Sequence, residues 1–125
     1  MENNPHRWLI CGTRKKGYEK LVWDILTDAL VGERQHRGDP NWAPLIIEGC
    51  CPDSADEYAE AWAKKFGLEN KHYPSTSGNY LKRNIEMVND CTGVIAFWDS
   101  FSYGTAHTIA FATATGKDIR VIMLR

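Results

Sequence analysis

Short apolar runs that end in glycine or polar residues alternate along this chain with longer segments of helical periodicity. Trp8-Leu9-Ile10-Cys11 is a continuous apolar run that stops at Gly12, as a strand buried on both faces should read. Tyr18, Leu21, Val22, Ile25, Leu26, Ala29 and Leu30 then recur at steps of three and four, which predicts one apolar stripe of a helix ending at Gly32. A polar loop over 33–43, with Gly38, Asp39 and Pro40, leads to a second strand at Leu45-Ile46-Ile47 that runs into Glu48-Gly49.

Ser54 followed by Glu57 reads as a capping box, and Ala55, Ala59, Trp62, Ala63 and Phe66 predict the buried stripe of a second helix that Gly67 terminates. Lys71-His72-Tyr73 before Pro74 reads as a short third strand. The Ser75-Thr76-Ser77-Gly78 loop opens a third helix with Leu81, Ile85 and Val88 facing inward. Val94 to Trp98 predicts the fourth strand, Gly104 to Thr115 a fourth helix of small residues stopped by Gly116, and Ile119 to Leu124 the last strand. Strands that alternate with helices give right-handed crossovers. The expected fold class is therefore α/β, a Rossmann-like three-layer sandwich with a mostly parallel sheet of about five strands, and residues 1–125 form a single domain.

Composition narrows the picture. The chain is 43% hydrophobic and 25% charged, ordinary for a globular domain and wrong for a disordered one. Fifteen Lys and Arg against sixteen Asp and Glu argue against a domain whose main task is to coat nucleic acid. No run approaches the roughly 20 apolar residues that span a bilayer. Met1 to Pro5 is polar, without an apolar signal core, so a cytoplasmic location and no membrane partner are expected. Cys11, Cys50, Cys51 and Cys91 form no CxxC pair, which leaves them as reduced thiols and gives no metal site by spacing. The five Trp of so small a chain offer candidates for an apolar homo-oligomer interface.

In such sheets ligands bind beyond the carboxyl ends of the strands, near the point where strand order reverses. Gly12-Thr13-Arg14-Lys15-Lys16-Gly17 follows strand one: the glycine permits close backbone approach, Thr13 offers a hydroxyl, and Arg14 can meet a phosphate with paired hydrogen bonds. A solvated basic turn would read the same way. Gly49 to Glu57 follows strand two; Asp53, Asp56 and Glu57 suit a helix N-terminus, and Asp53 or Asp56 could accept hydrogen bonds from ribose hydroxyls or hold a divalent ion, the hydroxyls being favoured. Arg83 and Asn84 lie on the third helix, with Arg83 placed to point away from the core stripe. After strand four, Trp98 to His107 runs through a Ser- and Gly-containing loop into a helix N-terminus, a natural phosphate seat at Gly104 and Thr105. Trp98 or Tyr103 could stack on a base, and His107 is a ligand contact, an acid/base, or incidental.

Four of these segments together resemble the SLOG superfamily, in particular its small YspA-like branch of bacterial and phage proteins. They are Gly12-Thr13-Arg14, Gly49 through Ala59, Arg83-Asn84 through Met87, and Gly104-Thr105 after Phe97-Trp98. The resemblance implies a Rossmann-like fold that binds a nucleotide or nucleotide-sugar derivative, ADP-ribose and NAD-related molecules included, as a sensor or sequestering protein. LOG relatives hydrolyse nucleoside monophosphates to base and ribose phosphate, and DprA-like relatives bind single-stranded DNA. LOG enzymes carry Gly-Gly-x-Gly-Thr followed by a catalytic Glu. Here Phe101-Ser102-Tyr103-Gly104-Thr105 keeps only the final Gly-Thr, with His107 and Thr108 where acidic residues would stand.

Binding without turnover is thus the first expectation, with no cofactor. A LOG-like phosphoribohydrolase using Arg83 with Asp53, Asp56 or His107 is the alternative. Single-stranded nucleic-acid binding through Arg14, Lys15, Lys16, Lys82 and Arg83 is the third reading.

Overall fold

The computed structural model describes residues 6–32, 43–74 and 80–125. Most of the expected 33–43 loop, the Ser75–Gly78 turn and the Met1–Pro5 start lie outside the described residues. Five strands, β1 (Arg7–Gly12), β2 (Leu45–Glu48), β3 (Asn70–His72), β4 (Gly93–Trp98) and β5 (Asp118–Met123), form one sheet. Every pairing is parallel and the order is β3-β2-β1-β4-β5. The helices are α1 (Glu19–Leu26, continued by a π-helical turn over Thr27–Val31), α2 (Ala55–Lys65), α3 (Tyr80–Asp90) and α4 (Tyr103–Ala114).

The period of two along β1 sorts its side chains between two cores. Trp8 and Ile10 face α1 and α2, packing with Val22, Leu26, Ala59, Trp62, Ile95 and Phe97. Leu9 and Cys11 face α3 and α4, packing with Met87, Val88, Val94, Ala96 and Ala112. Two helices per face follow from the topology: β1 to β3 is built outward with α1 and α2 on one side, and the chain then returns to place β4 beside β1. The molecule is therefore an α/β three-layer sandwich of the Rossmann-like kind, as the apolar runs and stripes imply. Among the described residues no helix is long and apolar enough to cross a membrane.

Three local readings differ from the sequence expectation. In α3 the buried residues are Asn84, Met87 and Val88, whereas Leu81 and Ile85 are exposed, so the helix is rotated from the expected stripe. Phe66 is exposed at the end of α2, where its ring packs on Trp62 at a centroid distance of 4.9 Å. The capping box is shifted. Ser54 Oγ accepts from Asp56 N–H, and the Glu57 carboxylate accepts from Asp53 N–H at 3.1 Å rather than from the cap residue itself.

The tryptophans among the described residues do not supply an exposed face either. Trp8 and Trp62 are buried, Trp23 packs against the core and Trp98 is half-buried, while Trp42 lies outside the described residues. The rings of Trp8, Trp23 and Trp62 are spent on the core, where each packs among apolar neighbours. Phe101 and Tyr103 are instead the most exposed aromatics among the described residues.

Candidate functional site

The strand order reverses between the parallel neighbours β1 and β4, and their carboxyl ends are joined side by side. Thr13 N–H donates to the Phe97 carbonyl at 2.8 Å, and Asp99 N–H donates to Thr13 Oγ1 at 3.1 Å. Thr13 is buried and serves as a stitch between the two strand ends rather than as a wall of the site. Gly12 is required here by packing. A Cβ on it would lie 2.9 Å from Ala55 Cβ, from the Phe97 carbonyl oxygen and from the Tyr18 hydroxyl. That hydroxyl donates to the Thr13 carbonyl and accepts from Ala55 N–H at 2.9 Å, holding the loop after β1 against the start of α2.

Beyond these strand ends lies a cleft of about 340 Å³. Gly12, Arg14, Asp56, Arg83, Asn84, Gly104 and Thr105 line it, seven residues that the sequence singles out. Cys11, Cys51, Tyr80, Met87 and Ser102 line it as well. Tyr80, Arg83, Asn84 and Met87 stand at i, i+3, i+4 and i+7, so one face of α3 forms a wall of the cleft. That spacing was the signal available for Tyr80 and Met87, while Ser102 is legible as the N-cap of α4.

Asp56 and Arg83 converge on Gly49. Asp56 Oδ2 accepts from Gly49 N–H at 3.0 Å, and Arg83 Nη1 donates to the Gly49 carbonyl at 3.0 Å. A Cβ at Gly49 would meet both side chains at 3.0 Å, so the glycine leaves room for them and is not itself part of the cleft wall. Burial pushes the Asp56 carboxyl up to about 6, against the opposing pull of the Gly49 N–H and the Arg83 charge. Arg83 Nε is buried and has no acceptor among the described residues.

The opposite rim is the N-terminus of α4. Ser102 Oγ accepts from Thr105 N–H and the Ser102 carbonyl accepts from Ala106 N–H. This leaves the Tyr103 and Gly104 N–H groups without an acceptor among the described residues. A Cβ on Gly104 would meet nothing within 4 Å, so its backbone faces open space. Asn84 Nδ2 reaches the Gly104 carbonyl at 3.4 Å, linking α3 to this rim. Asp99 organises the loop before it by accepting from Phe101 and Ser102 N–H, bonds that hold its carboxyl below the usual carboxylate range.

Besides Thr13 and Gly49, four further expected site residues stand outside the cleft wall. Asp53 is half-exposed with φ 51°; its N–H donates to Glu57 and its carbonyl accepts from Lys15 N–H, so it shapes the turn into α2. Trp98 Nε1 donates to the Ser102 carbonyl at 3.0 Å, which fixes the indole to the loop. The Tyr103 side chain points to solvent, 91% exposed. His107 sits one turn into α4, half-buried, with Nδ1 unpartnered among the described residues. Arg14 is exposed and lies 3.4 Å from Cys51 Sγ across the cleft mouth.

An open parallel sheet with a cleft at its topological switch point is the architecture of a Rossmann-like domain. No protein-family model matches this chain, and no curated protein or solved structure is significantly similar to it.

Proposed function

We propose that this chain binds a phosphorylated nucleotide or nucleotide-sugar ligand in the cleft, as a sensor or sequestering protein. The observation that carries the reading is the pairing of an open helix N-terminus, at the Tyr103 and Gly104 N–H groups, with the cations Arg14 and Arg83 on the walls of the same cleft. Unpaired N–H groups and the helix dipole favour an anion at that rim, and a guanidinium meets phosphate with directed hydrogen bonds. Asp56, on the same wall, is the acceptor for a ribose hydroxyl, whereas Asp53 faces a turn. A volume of about 340 Å³ is at the small end of ligand pockets, enough for a mononucleotide or for part of an ADP-ribose.

The resemblance to SLOG proteins supports the same ligand class. Titration calorimetry with AMP, ADP-ribose, NAD and cyclic ADP-ribose isomers tests it, alongside native mass spectrometry of gently purified protein. Saturable heat, or a co-purified adenine nucleotide, supports the reading. No heat at high micromolar ligand together with an empty protein ends it.

One observation favours turnover as a second reading. The cleft contains a buried carboxyl, Asp56, which burial pushes up to about 6, beside Arg83. An N-glycosidic bond breaks through an oxocarbenium-like state that a nearby carboxylate stabilises. Release of free adenine from AMP, lost in Asp56→Asn and Arg83→Ala, would move the assignment to a phosphoribohydrolase. Self-association belongs to the same proposal, with Leu81, Phe101 and Tyr103 as the exposed apolar residues it would use, and light scattering measures it.

A further inference from the structure

Beside the cleft, at the carboxyl ends of β2 and β3, three metal-ligating side chains meet. Glu48 ends β2 and His72 ends β3, and the two are direct partners in the parallel register. Cys50 follows two residues after Glu48. Ligand atoms of Glu48, Cys50 and His72 all lie within 4.8 Å of one another. Glu48 is completely buried, and among the described residues it pairs with no Lys or Arg; its Oε2 contacts His72 Nδ1, and its Oε1 accepts from Cys50 N–H. A buried carboxylate without a fixed cation is costly, and a bound cation would relieve that cost. On the other side of the imidazole, His72 Nε2 lies 3.5 Å from Glu60 Oε2.

We infer that Glu48, Cys50 and His72 form a binding site for a borderline-soft divalent cation of the Zn²⁺ class. The donor set is one carboxylate oxygen, one thiolate and one imidazole nitrogen, the mixture that Zn²⁺ accepts and that Mg²⁺ or Ca²⁺ does not seek. The cation replaces the proton that Glu48 Oε2 and His72 Nδ1 share, the two side chains parting to admit it, and Cys50 Sγ joins it; the shared proton and the thiol proton both pass to solvent. Glu60 acts as a positioning residue. Once the cation holds Nδ1, the Glu60 carboxylate, 3.5 Å from Nε2, is placed to accept from Nε2–H and fix the ligating tautomer, an arrangement common around zinc-bound histidines. Three protein ligands leave a fourth position for water.

The test is a Co²⁺ titration of the full, untagged chain under reducing conditions, followed by displacement with Zn²⁺. The expected result is one equivalent of Co²⁺ with a thiolate-to-cobalt charge-transfer band in the near ultraviolet, erased by Zn²⁺. Cys50→Ser removes that band, and His72→Ala weakens binding by at least about tenfold. Glu60→Gln weakens binding by about tenfold and keeps the band. Cys51→Ser leaves both band and affinity unchanged. Cys50 and His72 are exposed, so these variants retain the fold, which far-ultraviolet circular dichroism verifies. Absence of a charge-transfer band in the parent chain overturns the site, as does a band that survives Cys50→Ser and vanishes in Cys51→Ser. Neither result depends on whether the cleft binds a nucleotide.

Discussion

Arg83 reaches back from α3 to donate a hydrogen bond from Nη1 to the carbonyl of Gly49 at 3.0 Å. This bond ties a helix on one face of the sheet to the loop that leaves β2, and it holds the guanidinium on the cleft wall instead of in bulk solvent. A cation pre-positioned in this way loses little side-chain entropy when a phosphate arrives.

Arg83→Ala should therefore reduce affinity for a phosphorylated ligand by at least about tenfold, roughly 1.4 kcal/mol. Arg83→Lys should recover only part of it, because an ammonium cannot bond the Gly49 carbonyl and a phosphate in the same planar geometry. Calorimetry on both variants with the best-binding adenine nucleotide checks this. Affinity unchanged in Arg83→Ala would remove the residue from the site.

Two glycines of the cleft should respond in opposite ways. Gly12→Ala forces a Cβ to 2.9 Å from the Phe97 carbonyl oxygen and Ala55 Cβ, neither of which can move cheaply. A loss of about 1–3 kcal/mol is expected in urea unfolding. Gly104→Ala meets nothing within 4 Å and gains helix propensity, so its stability should hold or rise by up to about 1 kcal/mol. The added methyl intrudes on the open rim, and ligand binding should fall while stability does not.

Asp56 gives the protein a pH signature. Its folded value of about 6 lies above the usual carboxylate value of 3.8, so between those pH values the folded state keeps a proton that the unfolded chain has lost. This group's contribution favours folding at low pH and declines as pH rises through that window. Two units correspond to about 3 kcal/mol. Asp56→Asn should remove this slope and raise stability at pH 7 by on the order of 1–3 kcal/mol relative to its effect at pH 4, while weakening recognition of ribose hydroxyls. Urea midpoints of both proteins at pH 4, 5, 6 and 7 measure it, and parallel curves would refute it.

Tyr18→Phe deletes one oxygen that serves two buried partners, the Thr13 carbonyl and Ala55 N–H. The edge-on contact with Tyr58 at 5.1 Å is unaffected by the change. Leaving the two backbone groups unpaired should cost about 1–3 kcal/mol, read as a lower thermal midpoint.

The alternation of apolar runs with helical stripes was enough to determine the fold class of this protein. Trp8 to Cys11 and Val94 to Phe97 are apolar at every position, which only strands covered on both faces tolerate, and the helical stripes between them leave few other arrangements. The loops worth inspecting were legible for the same reason, since topology places sites at strand ends.

Orientation within those elements was not legible. On α3 both Leu81-Ile85-Val88 and Tyr80-Arg83-Asn84-Met87 are spaced for one helix face, and the stripe of larger hydrophobicity was the natural choice. Tertiary structure turned Asn84 and Met87 inward because the Gly49 and Gly104 carbonyls and the sheet face offered partners that Leu81 and Ile85 could not use. Gly12 likewise read as a ligand-approach position, yet its missing Cβ makes space for the protein's own Tyr18 and Ala55, as that of Gly49 does for Asp56 and Arg83.

The meeting of Glu48, Cys50 and His72 was invisible in sequence for a plainer reason. Twenty-four residues separate Glu48 from His72, and only the parallel register of β2 with β3 makes them neighbours. Local periodicity is written into each segment, whereas contacts between segments depend on a register and a rotation that the whole chain settles at once.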